Sequence, residues 1–407
     1  MSEHWDPLAA DILCFSSTDW EGTWGSRQQV MLRLARRGQR VLYIEQLAGL
    51  EHLLRYPELR QRKQRLHRQG LRLVADNLWA ANPPILLPGR YYSAQANRLN
   101  TWLAARWAKK MVGQLGLQAP ILWVYKPEHA GLVGVFGERL SVYHCIDEWT
   151  AGTQGRKRRL IASLEAQLLD RVNLVLANSP PTYEAKRRRH PRVFRIPSGV
   201  DIALFAQALE PGLPVHPAIT NLPRPRLGYS GAINERLDYA ILEHLAGSHP
   251  EWSLVLVGEP YPSPALRRLQ TFPNVYFLGK FPPEQIPAVL KGMDACLIPY
   301  VNDERGYYRS PLKLYEYLAA GKPVASTPQP EVQEFAEQVP AEYIYLADTP
   351  AAFADGVAQA LAQDNPDRAR QRAQIAVQHS WERRVDQIQD ILRQYGTQDF
   401  DPARAGH

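Results

Sequence analysis

The chain has 407 residues, 45% of them hydrophobic, with 48 Lys and Arg against 41 Asp and Glu. That length predicts roughly two or three domains, each long enough to bury a core, and no run of about 18 apolar residues is present to span a membrane as a helix. The opening MSEHWDPLAADILCF lacks the basic flank and long apolar stretch of a secretory signal. Cys14, Cys145 and Cys296 stand far apart in apolar stretches and read as core residues in a reducing cytosol. The histidines have no metal-binding spacing.

In chain order, the first half alternates apolar strands with helices. Asp11–Phe15 reads as a strand and SSTDWEGTWGS as a loop. A helix follows to about Arg37, ended by Gly38, and Val41–Glu45 is the next strand, completing a βαβ unit. His52–Arg72 is strongly basic and reads as a helix. With Leu53, Leu54 and Leu59 it either lies on a membrane or packs on the domain and exposes its arginines. Ile121–Tyr125, Leu140–His144 and Leu174–Asn178 are further strands. The proline-rich Pro211–Pro225, within 206–225, reads as a linker.

A second series then begins. Arg226–Ser230, Trp252–Gly258, Val275–Leu278 and Ala295–Pro299 are predicted strands, with helices over Tyr239–Leu245 and Glu284–Lys291 between them. Ala352–Ala362 and Pro366–Arg393 are predicted closing helices. Near-continuous apolar strands separated by helices predict parallel sheets covered on both faces. Two such doubly wound domains bind ligands at the carboxyl ends of their strands, and a cleft between them is expected. The predicted division is 1–205, linker 206–225, 226–379, and 380–407 as a helix returning to the first domain with a tail.

Charge divides unevenly between the halves. Residues 1–200 hold 30 Lys and Arg against 16 Asp and Glu, a net of +14; the remainder holds 18 against 25, a net of −7. Such asymmetry favours an anionic partner for the first half, either a membrane surface or a phosphorylated acceptor, with nucleic acid the less expected case.

The most informative segment is YRSPLKLYEYLAAGKPV, Tyr308–Val324. It places Lys313 and Glu316 three apart on one helix face, ahead of a Gly-Lys-Pro turn and a short strand. A helix start beside a lysine suits a diphosphate, and a carboxylate one turn on can take the hydroxyls of a ribose. The alternative is an amphipathic helix burying Leu312, Tyr315 and Leu318. Arg236 follows the Ser230-Gly231 turn, and Gly231 lets backbone approach a phosphate.

In order, SGAINERLDYAIL, WSLVLVGEP, NVYFLGKFPPEQIP, DACLIPY, SPLKLYEYLAAGKPVAST and HSWERR resemble the donor domain of GT-B glycosyltransferases. They are most similar to the retaining family-4 type, including bacterial exopolysaccharide and teichuronic-acid-type transferases. SSTDW, RQQVMLRLARRGQRVLYIE and VYHCIDEW extend the resemblance into the first half. It implies an α/β GT-B fold of two Rossmann-like domains. The implied reaction transfers a sugar from a UDP- or GDP-linked donor to a hydroxyl of a saccharide or lipid-linked acceptor. It also implies retention, no metal, and no cofactor beyond the donor itself. Arg236 and Lys313 would hold the phosphates and Glu316 the ribose. Gly231, Gly258, Glu259, Ser310, Pro311 and Leu312 would border the nucleotide.

This chain departs from the family at Tyr308, where many members carry a second glutamate eight positions before the one matching Glu316. The usual sugar contact is therefore missing, or rerouted through a loop holding Asp303 and Glu304. On the acceptor side the candidates are Asp19, Glu21, Gly22, Gly25 and Arg27 in the first βα loop, and His144, Asp147 and Glu148 in YHCIDEW. Asp147 is the first choice for a base should the reaction invert, with Asp19 or Glu21 next, and capping a helix is the alternative role of Asp147. Trp20 and Trp24 either stack on a sugar or sit in the core. The expected placement is cytoplasmic, peripheral to the inner membrane face, with no nucleic-acid partner. The alternatives are a nucleotide-sugar epimerase of the same fold, or a basic membrane- or nucleic-acid-binding protein with a degenerate site.

Overall fold

The computed structural model describes residues 5–22, 24–50, 54, 57–89 and 93–396. The chain divides into two compact units, residues 1–197 with 384–407, and residues 198–383. Each is a parallel sheet layered by helices.

The first unit holds eight strands: β1 (Ile12–Phe15), β2 (Val41–Ile44), β3 (Leu71–Ala75), β4 (Leu78–Ala81), β5 (Ile121–Val124), β6 (Leu140–Cys145), β7 (Leu174–Ala177) and β8 (Val193–Arg195). Their order is β3-β4-β2-β1-β5-β6-β7-β8. Every pairing is parallel except β3 with β4, a hairpin turned through Asp76 and Asn77, where Asn77 takes a left-handed φ of 59°. The central strands are wholly buried, which explains their unbroken apolar sequences. The helices that matter below are α1 (Ser26–Arg36), α2 (Pro57–Gln69), α3 (Ala94–Leu115), α4 (Gly155–Leu169) and α5 (Pro180–Arg187), with a short 3-10 helix over Pro127–Leu132.

The second unit holds β9 (Arg226–Ser230), β10 (Ser253–Val257), β11 (Val275–Phe277), β12 (Ala295–Ile298), β13 (Val324–Ser326) and β14 (Ile344–Leu346), all parallel, in the order β11-β10-β9-β12-β13-β14. Strand order reverses between β9 and β12, so their carboxyl ends form the switch point at which such sheets bind ligands. Helices α6 (Tyr239–Ser248), α7 (Leu312–Ala319), α8 (Pro350–Gln363) and α9 (Pro366–Val377) belong to this unit.

Three expectations need correction. The proline-rich stretch is no free linker. Pro217 starts a single helical turn, Pro217–Thr220, and Ile219 is completely buried in the second unit's core. Proline suits the first helical position, where its missing N–H costs nothing. The basic helix starts at Pro57 among the described residues; 51–53, 55 and 56, including His52 and Leu53, lie outside them. It packs Lys63 and Leu66 inward, so it covers its own domain, and Arg72 belongs to β3. Pro366–Arg393 is two helices, α9 and α10 (Trp381–Tyr395). The chain breaks where the Val200 N–H donates to the His379 carbonyl and the Trp381 N–H to the Val200 carbonyl.

From Arg384 onward α10 belongs to the first unit. There Asp386 pairs with Arg37 at 2.8 Å and Tyr395 packs on Phe194, while Val385, Ile388 and Leu392 are buried. The helix thus returns to the first domain as expected; the tail from residue 397 lies outside the described residues.

If 206–225 is core rather than linker, Ile219→Ala should cost about 2–5 kcal/mol, the range for emptying a buried aliphatic site. Urea unfolding followed by a probe in the second unit measures this; a linker residue would cost almost nothing.

Candidate functional site

The second unit's site grows from crowding at the ends of β9 and β10. Gly231 follows β9 with φ 157°, and a Cβ there would lie 2.3 Å from Lys313 Cε and 2.6 Å from its Nζ. Gly258 follows β10 with φ 142°, and its Cβ would sit 1.9 Å from the Gly231 carbonyl oxygen. Two glycines therefore let the two loops touch and the lysine amine lie against backbone. The contact is fixed by the Gly231 N–H donating to the Val257 carbonyl at 2.7 Å.

Arg236 is brought to the same place by backbone pairing. The Val301 N–H donates to the Arg236 carbonyl at 3.0 Å and the Asp238 N–H to the Pro299 carbonyl at 2.7 Å, tying the loop after β9 to the loop after β12. Lys313 lies on α7, 5.7 Å from the centre of the Tyr229 ring. Among the described residues, neither Arg236 nor Lys313 has a side-chain hydrogen bond or an ion pair.

Arg309 is a third cation here, and sequence reasoning passed over it. Its guanidinium stands 5.5 Å from the Tyr300 ring centre and 3.9 Å from Asp303, and its buried Nη1 has no hydrogen-bond partner. Burial first, and then the charge of Arg236, push its pKa down from the ordinary arginine value. Two cations close enough to disfavour one another point to an absent anion. The signal in the sequence was an arginine directly before Ser310-Pro311, beside the tyrosine that draws attention.

The start of α7 is open. Pro311 occupies its N-cap with no side-chain hydrogen bond, leaving the first amides without a side-chain cap. Leu312 is half-buried, and Ser310 is fastened to Ser198 through bonds of 3.1 and 3.0 Å. Glu316 is half-buried one turn on and has no hydrogen-bond or ion-pair partner among the described residues. Desolvation raises its pKa above the usual carboxylate value, while the Lys313 charge works against that shift. Glu259 is exposed, and its carbonyl accepts from the Ile233 N–H at 2.9 Å. Cations, uncapped amides and an unpartnered carboxylate thus surround one strand-end position.

The candidates in the first unit fare differently. Asp19 is buried against the Lys63 ammonium, which also donates to the Gln46 carbonyl at 2.9 Å. It is therefore a structural ion pair and not a free base. Glu21 is held by Arg72 at 2.8 Å and Arg62 at 3.5 Å. Gly22 and Gly25 have ordinary backbone; a Cβ at Gly25 meets nothing, so neither is a phosphate cradle by necessity. Trp20 is buried against Tyr43, whereas Trp24 is exposed.

His144 is buried, stacked on Tyr125 with ring centres 5.1 Å apart, and its Nδ1 has no partner. Burial, assisted by Arg27, pushes its pKa down to about 3. It is a neutral core residue, unsuited to proton transfer near neutrality. Glu148 is buried between the Thr150 hydroxyl at 2.7 Å and Lys186 at 2.8 Å, and Lys186 also holds Glu165 at 2.7 Å. Burial alone would raise the Glu148 pKa, but Lys186 and Thr150 outweigh it and hold the carboxyl low. Glu148 is a structural member of that network.

Asp147 and Arg27 remain. They meet at 2.8 Å near the ends of β1 and β6, with Asp147 56% exposed. Asp147 caps no helix, since α4 begins only at Gly155. Among the described residues no three His, Cys, Asp or Glu side chains converge as a metal site.

Residues 224–363 match the family model "Glycosyl transferases group 1". A Bacillus subtilis (strain 168) protein named as a teichuronic acid biosynthesis glycosyltransferase, TuaH, is 25% identical over 274 residues, covering 64% of this chain and 68% of that one. Among solved structures, the sucrose-phosphate synthase tll1590 of Thermosynechococcus elongatus is similar with a TM-score of 0.66 and 18% identity, covering 95% of this chain and 98% of that one. The Anabaena Alr3699/HepE protein, in complex with UDP and glucose, has a TM-score of 0.62 and 17% identity, covering 94% and 99%. An Escherichia coli trehalose-6-phosphate structure bound with UDP-2-fluoro glucose has a TM-score of 0.66 and 12% identity, covering 95% and 99%. These likenesses carry the fold.

Lys63→Ala should destabilise the protein by about 3–5 kcal/mol, because it strands the buried Asp19 carboxylate. Asp19→Asn combined with Lys63→Met should recover part of that loss in thermal unfolding; an unpaired, solvated Asp19 would predict neither effect.

Proposed function

We propose that the chain is a GT-B glycosyltransferase that moves a glycosyl unit from a uridine-diphosphate sugar to a hydroxyl of a saccharide or lipid-linked acceptor, with retention. The observation that carries this reading is the group of Arg236, Arg309 and Lys313 around the uncapped start of α7, with Asp303 and Glu316 beside it. A diphosphate supplies the missing charge. The UDP and UDP-2-fluoro glucose held by similar structures support uridine over guanosine. We place the reaction in the cytoplasm, at the inner face of the membrane.

In this reading the bond between the sugar's anomeric carbon and the diphosphate oxygen breaks, and its electron pair stays on that oxygen. Lys313 and Arg236 sit where this charge develops and stabilise it, with the amides of Leu312 and Lys313 adding their dipoles. The acceptor oxygen bonds to the anomeric carbon from the face the phosphate leaves, and its proton passes to the departing phosphate oxygen. No protein base is needed for this route. Glu316, ionised, accepts from the two ribose hydroxyls. Asp147, held by Arg27, orients the acceptor hydroxyl.

Lys313→Ala should weaken UDP binding about 10- to 100-fold, the usual loss for one charge-assisted hydrogen bond. Calorimetry on UDP measures this, and wild-type affinity in the variant would sink the donor site. Glu316 adds a pH test. A carboxylate must be ionised to accept from hydroxyls, so UDP affinity should fall as pH drops through its raised pKa. Glu316→Gln should bind more weakly and lose that dependence. The empty variant should melt higher than wild type near neutrality, since the folded protein no longer holds a desolvated charge.

Asp147→Asn should lower transfer to the acceptor by about tenfold or more while leaving UDP affinity unchanged. A parallel fall in UDP affinity would instead assign Asp147 to the donor side.

A further inference from the structure

A groove of about 590 Å³ opens on the first unit between α3, the 3-10 helix Pro127–Leu132 and α4. Its walls include Ala105, Val135, Leu160 and Leu164, and Trp102 projects into it while 56% exposed. Gly131 lets the 3-10 helix approach α3 closely, since a Cβ there would lie 3.0 Å from Thr101 Cγ2. Leu99, one turn before Trp102 on α3, is also 46% exposed. The volume falls within the ordinary range for a small-molecule site, about 300–1,000 Å³.

The rim is basic and unbalanced. Arg98, Arg106 and Lys109 line the groove from α3, and the Arg106 guanidinium stands 5.9 Å from the Trp102 ring centre. Arg156 and Arg159 precede the lining residues Leu160 and Ser163 by one helical turn and share their face. None of these five has an ion-pair partner among the described residues. Helix α3 contains no Asp or Glu. The nearby carboxylates are engaged elsewhere: Glu165 faces inward to Tyr143 and Lys186, and Glu128 lies 3.6 Å from Lys126.

A face serving only solubility has no use for an exposed tryptophan and leucine beside a slot whose apolar walls are interrupted only by the neutral Asn97, Thr101, Ser163 and Gln167. Uncompensated cations around such a slot complement a molecule with an anionic head and an apolar chain. We propose that the groove takes an acyl chain of an anionic phospholipid, with Trp102 against the chain and Arg98, Arg106 and Lys109 at the headgroup, docking the first unit on an anionic bilayer. Two weak signals, a basic patch and one inserted chain, together hold a protein at a membrane where either alone gives marginal binding.

The test is co-sedimentation of the full chain with vesicles of phosphatidylcholine, alone or mixed with phosphatidylglycerol. Binding should require phosphatidylglycerol. Each rim cation contributes about fivefold, so the triple variant R98Q/R106Q/K109Q should bind about a hundredfold more weakly. Brominated acyl chains should quench a fraction of tryptophan emission that Trp102→Phe removes. UDP affinity should stay unchanged in both variants, which separates this proposal from the donor site. Equal binding to both vesicle types, undiminished binding by the triple variant, or quenching unaltered in Trp102→Phe would each overturn it. Release by soluble glycerol phosphate at concentrations too low to alter ionic strength would also overturn it, since the head alone would then suffice.

Discussion

The second unit is organised around positive charge that the protein does not neutralise. Arg236, Arg309 and Lys313 converge there; among the described residues Arg236 and Lys313 have no partner carboxylate, and Arg309 has Asp303 at 3.9 Å. Gly231 and Gly258 are required because the lysine amine and two loops occupy the space where side chains would be. Charge held this way disfavours the empty protein: burial pushes the Arg309 pKa down and the Glu316 pKa up, each away from its charged form. Such preorganisation is what a site needs if it is to stabilise charge appearing during a reaction without rearranging.

The first unit does the opposite with its carboxylates. Asp19, Glu21, Glu45, Glu148 and Glu165 are all matched to lysines or arginines of neighbouring elements. The pairs lock α2 and β3 to the loop after β1, and α5 to α4 and the loop after β6. Buried pairs of this kind add little net stability but penalise alternative packings when one partner is lost. Asp147 stands apart because it is exposed and, among the described residues, paired only with Arg27, which leaves it accessible from solvent.

Much of the fold was legible because buried parallel strands are unbroken apolar runs: WSLVLVG could hardly be anything but an interior strand. The half-exposed β3 and the three-residue β8 carry no such run and were missed. Prolines at 211–225 suggested a linker because composition cannot distinguish a free segment from one seated by Ile219. In the site, Gly231 and Arg236 were singled out with the help of the family resemblance and arrive through pairing with distant loops, whereas the shared helix face of Lys313 and Glu316 was readable from local spacing. The roles of Asp19 and Glu148 were not, because each depends on a lysine 44 or 38 residues further along the chain. Whether an acid is a base or half of a pair is decided by tertiary contact alone.

Glu316 shows how these levels join. On α7 it shares a face with Lys313, yet the two make no ion pair, so the helix holds opposite charges near one another without letting them cancel. Had they paired, the site would be more stable empty and less able to bind. Keeping them apart leaves a cation for phosphate and an acceptor for hydroxyls at a separation fixed by one helical turn. A ligand that carries both groups satisfies both residues at once, whereas free phosphate or a free diol satisfies only one. In the proposed donor site, the unpaired state of two residues on one turn of helix would measure ligand length, and selectivity for a whole nucleotide would follow from helix geometry.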